Sequence, residues 1–422
     1  MTSDYGGTWT SLSSSLPAGQ AINCVTEDPR SRNVLYLGTE FGLFLTFDKG
    51  QHWIRFKSNL PTVPVDEITI HPRDNDMLLA THGRSIWILD DISPLQQAAE
   101  AAMSEAFLFS VRDAVQFNPS DDHANYPGDR RFWGRNPEFG APISYYLKDV
   151  PKDIRITIRD GHGAIVREMS VDDLLNYRSA GLNRFYWDLR HQPLESGRGG
   201  RGGVGGGGFG GGGSSGPFVL PGAYKMSLTV NGRDVGSRSM RVSSDPQVQI
   251  SDADRKLQHD TALALHDYQR AFNDASAALS SVNDQLRAAQ DLLKQAANAP
   301  AAAVAAADSL AKRLAAITQQ LGAGAQAGGG GGRGGGPGGG AQPIRNQIPG
   351  IKSQIMASTS APTLLQMQVA RESRELLVKL IPDLNNATAA ALPELFKILS
   401  DNKMNPPPLK PIPPVKVTGI LR

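Results

Sequence analysis

Thr2-Ser3-Asp4-Tyr5-Gly6-Gly7-Thr8-Trp9 and Thr46-Phe47-Asp48-Lys49-Gly50-Gln51-His52-Trp53 share the form T-x-D-x-G-x-[TH]-W, and Asp4 and Asp48 stand 44 positions apart. The neighbouring segments repeat as well. Glu27-Asp28-Pro29-Arg30 followed by Val34-Leu35-Tyr36-Leu37-Gly38-Thr39 returns as Ile70-His71-Pro72-Arg73 followed by Met77-Leu78-Leu79-Ala80-Thr81, with Pro29 and Pro72 43 positions apart. A fixed period of this length marks one supersecondary unit per repeat.

The octet has a physical logic. An Asp carboxylate accepts backbone N–H groups across a tight turn, Gly supplies a conformation that a side chain forbids, and Trp lays apolar area over a hairpin. Asp4, Gly6, Thr8, Trp9, Asp48, Gly50 and Trp53 are therefore read as structural fasteners. On that register residues 21–27, 34–39, 43–47 and 53–57 form four strands, all β-rich in composition. A second unit runs through 67–70, 77–81 and 85–89 and ends at Asp90-Asp91 without the Gly and Trp of an octet, so it has no evident fourth strand. The pattern resembles the Asp-box, or BNR, repeat of sialidase-like and sortilin-like β-propellers, where the octet closes the hairpin between the third and fourth strands of a blade. The resemblance implies that residues 1–93 are the last two to three blades of a propeller and that the chain is the C-terminal fragment of a longer protein. That protein would carry the missing N-terminal blades and be secreted or periplasmic.

Beyond a helix-prone connector at 94–106, period-2 patterns return at 143–147, 154–159, 166–169, 184–189, 224–230 and 239–242, the spacing of a β-sandwich. Asp160-Gly161-His162-Gly163 reads as a turn and Asn231-Gly232 as a hairpin. Residues 181–190 and 221–224 resemble the immunoglobulin-like domain that follows the propeller in large bacterial BNR proteins, which places that domain at 106–245. Two glycine tracts, an insert at 197–216 and a linker at 322–340, lack the side chains to offset their ordering entropy and read as mobile loops. From Ser251, with Asp254 three positions on, the pattern turns helical. Leu257, Thr261, Leu265, Tyr268, Phe272, Ala275, Leu279, Val282, Leu286, Ala289 and Leu293 recur at three and four. That stripe buries one face, against further helices at 301–321, 363–380 and 392–399 or against a helix of another chain. The expected fold is thus multidomain, mainly β then α: partial propeller, sandwich, a helical bundle over 251–401 and a proline-rich tail over 402–422, extended at 406–414.

Composition narrows the partners. Lys and Arg number 43 against 41 Asp and Glu, a net charge of +2, which leaves no electrostatic footprint for nucleic acid. No run of about 18 apolar residues marks a membrane span. Cys24 is the single cysteine and sits in an apolar strand pattern, as a packed thiol does. A phosphate-cradling glycine loop after a strand and a G-x-S-x-G elbow are both missing, and no cofactor is implied. Asp121-Asp122-His123 has the composition of a metal site, but three adjacent loop side chains do not converge, so no metal is expected. Asp90-Asp91 reads as the remnant of an octet.

Octet turns lie on the opposite face of a propeller from the ligand. The ligand face would be built by the turns 39–42 and 81–84 and the crossover 58–66, which makes Glu40, Asp66, His82 and Arg84 the candidate contacts; turn residues on a polar rim are the plainer reading. A carboxylate near His or Arg suits glycoside hydrolysis, which needs a paired acid and base or nucleophile. The resemblance implies a glycosyl hydrolase acting on glycans, its catalytic residues unassigned here. The alternative is a sortilin-like propeller that binds peptide, protein or polysaccharide without chemistry.

Overall fold

The computed structural model describes residues 1–117, 138–194, 214–322 and 343–419. It is β in its first part and helical in its last, in two compact units. The first unit holds the described residues of Met1–Leu189 and Pro221–Asp245, and the second those of Pro246–Arg422 together with 190–194 and 214–220. The boundary after Asp245 falls where the sequence pattern turns from strand to helix, and the residues on both sides of 93 and 106 belong to one unit.

Two antiparallel meanders open the first unit. Strands β1 (Ile22–Glu27), β2 (Leu35–Thr39), β3 (Gly42–Thr46) and β4 (Ile54–Phe56) form the first, in that order. Strands β5 (Val65–Ile70), β6 (Met77–Thr81) and β7 (Ile86–Leu89) form the second, of three strands. Along β5 Val65 and Ile68 are buried, with Asp66 and Glu67 exposed between them, and the core between the meanders joins Tyr36, Leu43 and Leu45 to Val65, Ile68, Met77 and Leu79. The Pro29 and Pro72 repeats close equivalent turns: Asp28 Oδ1 accepts the N–H groups of Arg30 and Ser31, and His71 Nδ1 accepts that of Asp74.

Both octets make the same set of bonds. The Thr2 hydroxyl donates to Asp4 and accepts from Gly6 N–H at 2.8 Å, while Asp4 accepts the Thr8 N–H at 2.8 Å and its hydroxyl at 2.7 Å. The Thr46 hydroxyl likewise donates to Asp48 and accepts from Gly50 N–H at 3.0 Å. Asp48 takes the His52 N–H at 2.9 Å and pairs with its Nδ1 at 2.6 Å. The Thr8 N–H, then the hydroxyls of Thr8 and Thr2, hold the Asp4 carboxyl at about 2. Partial burial pushes Asp48 up, but the Thr46 hydroxyl and the His52 N–H and imidazole together outweigh it and hold it at about 2. Only the second octet joins two strands, β3 and β4. Trp53 donates to the Leu12 carbonyl at 2.7 Å, whereas Trp9, with no strand beside its turn, is 75 % exposed.

Short helices α1 (Ser93–Gln96) and α2 (Ala98–Ala102) form the connector. Asp91 is buried there, accepting the Ser93 hydroxyl, and Arg184 binds the carbonyls of Asp90 and Asp91, so the acidic pair is structural. Two further sheets follow. Strands β8 (Ala106–Leu108) and β9 (Ala114–Gln116), too short to show a period, precede β10 (Ala141–Leu147), β11 (Ile154–Asp160), β12 (Ile165–Met169), β13 (Gly181–Trp187), β14 (Gly222–Val230) and β15 (Arg233–Ser244). The sheet orders are β13-β10-β8 and β12-β11-β14-β15-β9. The rings of Trp187 and Tyr224 meet edge to face, joining one sheet to the other. Asn231 and Gly232 both take positive φ between β14 and β15, as a two-residue hairpin turn requires.

The second unit is built on α3 (Asp252–Gln295), whose first turn is capped by the Ser251 hydroxyl on Asp254 N–H. Its stripe from Thr261 to Leu293 is buried; Leu257 alone of that series is exposed. Helix α4 (Ala301–Leu321) ends on Gly322 in the left-handed conformation. Helix α5 (Ile344–Ala357) was hidden from periodicity by an internal Pro349. A capping box of Thr363 and Gln366 starts α6 (Leu364–Asn386), and a wider turn at Ala387–Ala391 leads into α7 (Leu392–Asp401). That wider turn spares the Pro393 ring a clash with the preceding turn. One core joins these helices, so the stripe is covered within the chain.

The glycine insert lies outside the described residues up to 213, and the linker at 322–340 lies outside them beyond Gly322. At its described end, Gly216 sits so near the His191 carbonyl that a Cβ would lie 2.1 Å from its oxygen. The tail is fixed in place: Val415 is buried and two side-chain amides bracket the main chain. Gln285 binds Lys410 N–H at 2.9 Å and its carbonyl at 3.1 Å, and Asn385 binds Val415 N–H and carbonyl, each at 2.9 Å. The Asp121-Asp122-His123 segment lies outside the described residues.

Asp48→Ala removes a turn acceptor, and we expect it to lower stability by about 1–3 kcal/mol in urea unfolding while leaving any ligand contact unchanged. Asn385→Ala is expected to cost about 1–3 kcal/mol and to speed amide exchange at Val415 selectively, as hydrogen-exchange mass spectrometry would register.

Candidate functional site

The repeat extends into the loops of the candidate face. Between Ile22 and Cys24 the β1–β2 register slips by one residue, and between Val65 and Glu67 the β5–β6 register does the same. Asn23 and Asp66 are the extra residues, 43 positions apart, the same spacing as Pro29 and Pro72. Such bulges re-aim a side chain, and they recur beside functional sites. Here they bring the two residues together: Asn23 Nδ2 donates to Asp66 Oδ1 at 3.2 Å and to the Val65 carbonyl at 3.3 Å.

Glu40 and His82 also occupy equivalent places. Glu40 N–H binds the Ala21 carbonyl at 3.2 Å and His82 N–H the Pro64 carbonyl at 3.0 Å. Thr39 and Thr81 close the two turns from inside through their hydroxyls. The side chains then diverge. Glu40 Oε2 turns back to accept the Ala21 N–H at 3.3 Å, while His82 Nδ1 stands 3.7 Å from Asp66 Oδ2. Arg84 is exposed in the β6–β7 turn, where its carbonyl takes the Trp87 indole N–H. Thus Asp66 and His82 are joined, Glu40 anchors the neighbouring strand end, and Arg84 is held through its main chain. Sequence reading missed Asn23, although its spacing to Asp66 was legible, and Arg55, which binds the Phe41 carbonyl and the Thr62 hydroxyl.

The close approach behind this face depends on Gly38. A Cβ there would lie 2.5 Å from the Val65 oxygen and 2.6 Å from Cys24 Sγ. Burial pushes the Cys24 thiol up, as befits a packed group and not a nucleophile. The face itself is wet, with the His82 side chain 81 % exposed and that of Asp66 50 %. It offers amide, carboxylate and imidazole groups to a polar ligand without the apolar enclosure that raises a general acid.

A second polar cluster, invisible in the sequence, lies in the helical unit. Lys352 of α5 is fully buried; its Nζ donates to Gln269 Oε1 at 2.8 Å and the Ser215 carbonyl at 3.0 Å and meets His266 Nδ1 at 3.1 Å. His266 Nε2 faces the Gln192 carbonyl at 2.9 Å, which fixes the proton on that nitrogen and leaves Nδ1 as acceptor. Burial, then Arg190, lowers Lys352 to about 8. Burial, then the Lys352 ammonium, lowers His266 to about 3. Nearby, Arg190 donates to the Gly216 carbonyl and stacks 3.6 Å from the centre of the Phe218 ring. His191 Nε2 and His259 Nε2 face each other at 3.0 Å.

Among the described residues no group of three His, Cys, Asp or Glu side chains is placed to hold a metal ion, and no helix is long and apolar enough to cross a membrane. No known family model and no curated protein matches this chain.

The buried pair predicts the pH response of the helical unit. Below 6.5 the unfolded chain protonates its His266 while the folded chain keeps it neutral down to about 3, so stability falls as pH drops through that interval. Between about 8 and 10.5 the folded chain sheds the Lys352 proton first, so stability rises with pH. The slopes reach about 1.4 kcal/mol per pH unit at most. Urea midpoints followed by helical circular dichroism should become less steep on the acid side in His266→Gln and on the alkaline side in Lys352→Met.

Proposed function

We propose that this chain contributes blades of an Asp-box (BNR) propeller of the sialidase-like and sortilin-like group, followed by an immunoglobulin-like sandwich, and that its strand-end face binds a glycan. The observation that carries the reading is the repeated bulge. Two meanders one period apart carry Asn23 and Asp66 in equivalent bulges, hydrogen-bonded to each other, with Glu40 and His82 on the adjoining turns. Two octets with matching bonds support the repeat as a blade. Hydroxyl-rich ligands suit such a face, because carboxylate and amide groups take and give the hydrogen bonds that sugar hydroxyls lose on leaving water.

Glycoside hydrolysis is the second reading, favoured by the presence of carboxylates, Glu40 and Asp66, at the strand ends of both meanders. It requires a pair held about 5–9.5 Å apart around the scissile bond. In either reading further blades complete the ring, and the parent protein is secreted or periplasmic.

Calorimetric titration with a panel of soluble polysaccharides tests the proposal. Binding should weaken at least about tenfold in Asp66→Ala and in His82→Ala, equivalent to about 1.4 kcal/mol, with unfolding midpoints unchanged. Binding that ignores both substitutions overturns the placement of the site, and no binding by any of the panel overturns the glycan. Release of reducing ends, lost in Asp66→Asn, would favour hydrolysis over capture.

A further inference from the structure

The helical unit carries a histidine pair that the glycan-binding reading does not use. His191 lies on a short two-stranded piece of the second unit: Arg190 pairs with Phe218, His191 N–H binds the Pro217 carbonyl at 2.9 Å, and Leu194 N–H binds the Ser214 carbonyl at 2.8 Å. His259 projects from the second turn of α3 with its side chain 13 % exposed. The rings stand 5.2 Å apart between centres, inclined at 45°, with their Nε2 atoms 3.0 Å apart.

The environment of His259 is that of a metal ligand. Its Nδ1 lies 3.0 Å from Asp260 Oδ1, and a carboxylate accepts only, so Nδ1 carries the proton and the neutral ring presents its Nε2 lone pair toward His191. Metal-ligating histidines almost always give their other ring N–H to a carboxylate or carbonyl, which fixes the tautomer and raises the basicity of the ligating nitrogen. Lys256 takes the other oxygen of Asp260 and balances that carboxylate's charge.

The separation fits as well. Two imidazole nitrogens at ~2.0–2.1 Å from a tetrahedral ion stand ~3.3 Å apart. For an ion to replace the contact between the rings, the two nitrogens part by a few tenths of an ångström, each ring turns so that its Nε2 lone pair meets the ion at the tetrahedral angle, and His191 carries its proton on Nδ1.

We propose that His191 and His259 form a binding site for a divalent late transition-metal ion of the zinc, nickel or copper class, oriented by Asp260 as the carboxylate partner of His259. Imidazole nitrogen selects these ions over calcium or magnesium, which require oxygen ligands. Two protein ligands leave coordination positions for water or for a group on a bound molecule. This makes the site an open one and distinguishes it from a structural zinc cage.

Calorimetric titration of the chelator-treated full chain with zinc tests it, alongside cobalt followed by its visible absorption. One ion per chain is expected, with binding lost in His191→Gln and in His259→Gln and weakened about 10–100-fold in Asp260→Asn. His162→Gln, at an exposed turn between β11 and β12, should bind as the parent does. Failure of the parent chain to take up zinc or cobalt, or unchanged uptake in both histidine variants, overturns the site. Should a variant fail to fold, zinc-induced shifts of the His191 and His259 ring nitrogens in the parent's nuclear magnetic resonance spectrum decide: shifts confined to other histidines overturn it equally.

Discussion

A missing methyl group at Gly38 governs the β part of this protein. Any side chain there would collide with the Val65 carbonyl and the Cys24 sulfur, so the two meanders approach each other only because position 38 has none. From that approach follow the core shared by Tyr36, Leu43, Val65 and Met77 and the reach of the Asn23 amide to Asp66. The polar face is thus a product of packing behind it. Its side chains are exposed, yet their spacing is set by an atom-scale tolerance in the interior.

What the sequence disclosed, and what it withheld, follows from the range of the forces involved. The octets were legible because their chemistry is local: every bond of Asp48 lies within four residues, so type and order suffice to predict them. The α3 stripe was legible because its burial has the period of the helix itself. Trp9 departed from its role because covering a hairpin needs a neighbouring strand, which no octet can encode. Helix α5 escaped because Pro349 and Gly350 interrupt the pattern by which helices are recognised, while its buried Lys352 reads as a surface residue. Of the candidate face, Asp66 and His82 were found by their turns; Asn23 was missed because a bulge, an irregularity of pairing, has no composition of its own.

Lys352 shows how a buried ammonium is tolerated. Its neighbours include a carbonyl oxygen, an amide oxygen and a ring nitrogen, whose directions leave little freedom of placement. A greasy side chain would accept many positions of α5 against α3, but this ammonium accepts few. Ser215 is held by the same group, through a main-chain carbonyl and not a side chain.

The amide brackets on the tail read only main chain. Between residues 406 and 414 prolines leave few N–H groups, and the brackets take those of Lys410 and, just beyond, Val415. Side-chain identity at these two positions is therefore nearly free as far as the brackets are concerned, with a single prohibited replacement, proline. The neighbouring positions 411 and 414 already carry it without cost to either bracket. A segment that looks compositionally careless is in this sense punctuated, its register along α3 and α6 counted out by two places where the ring must not close.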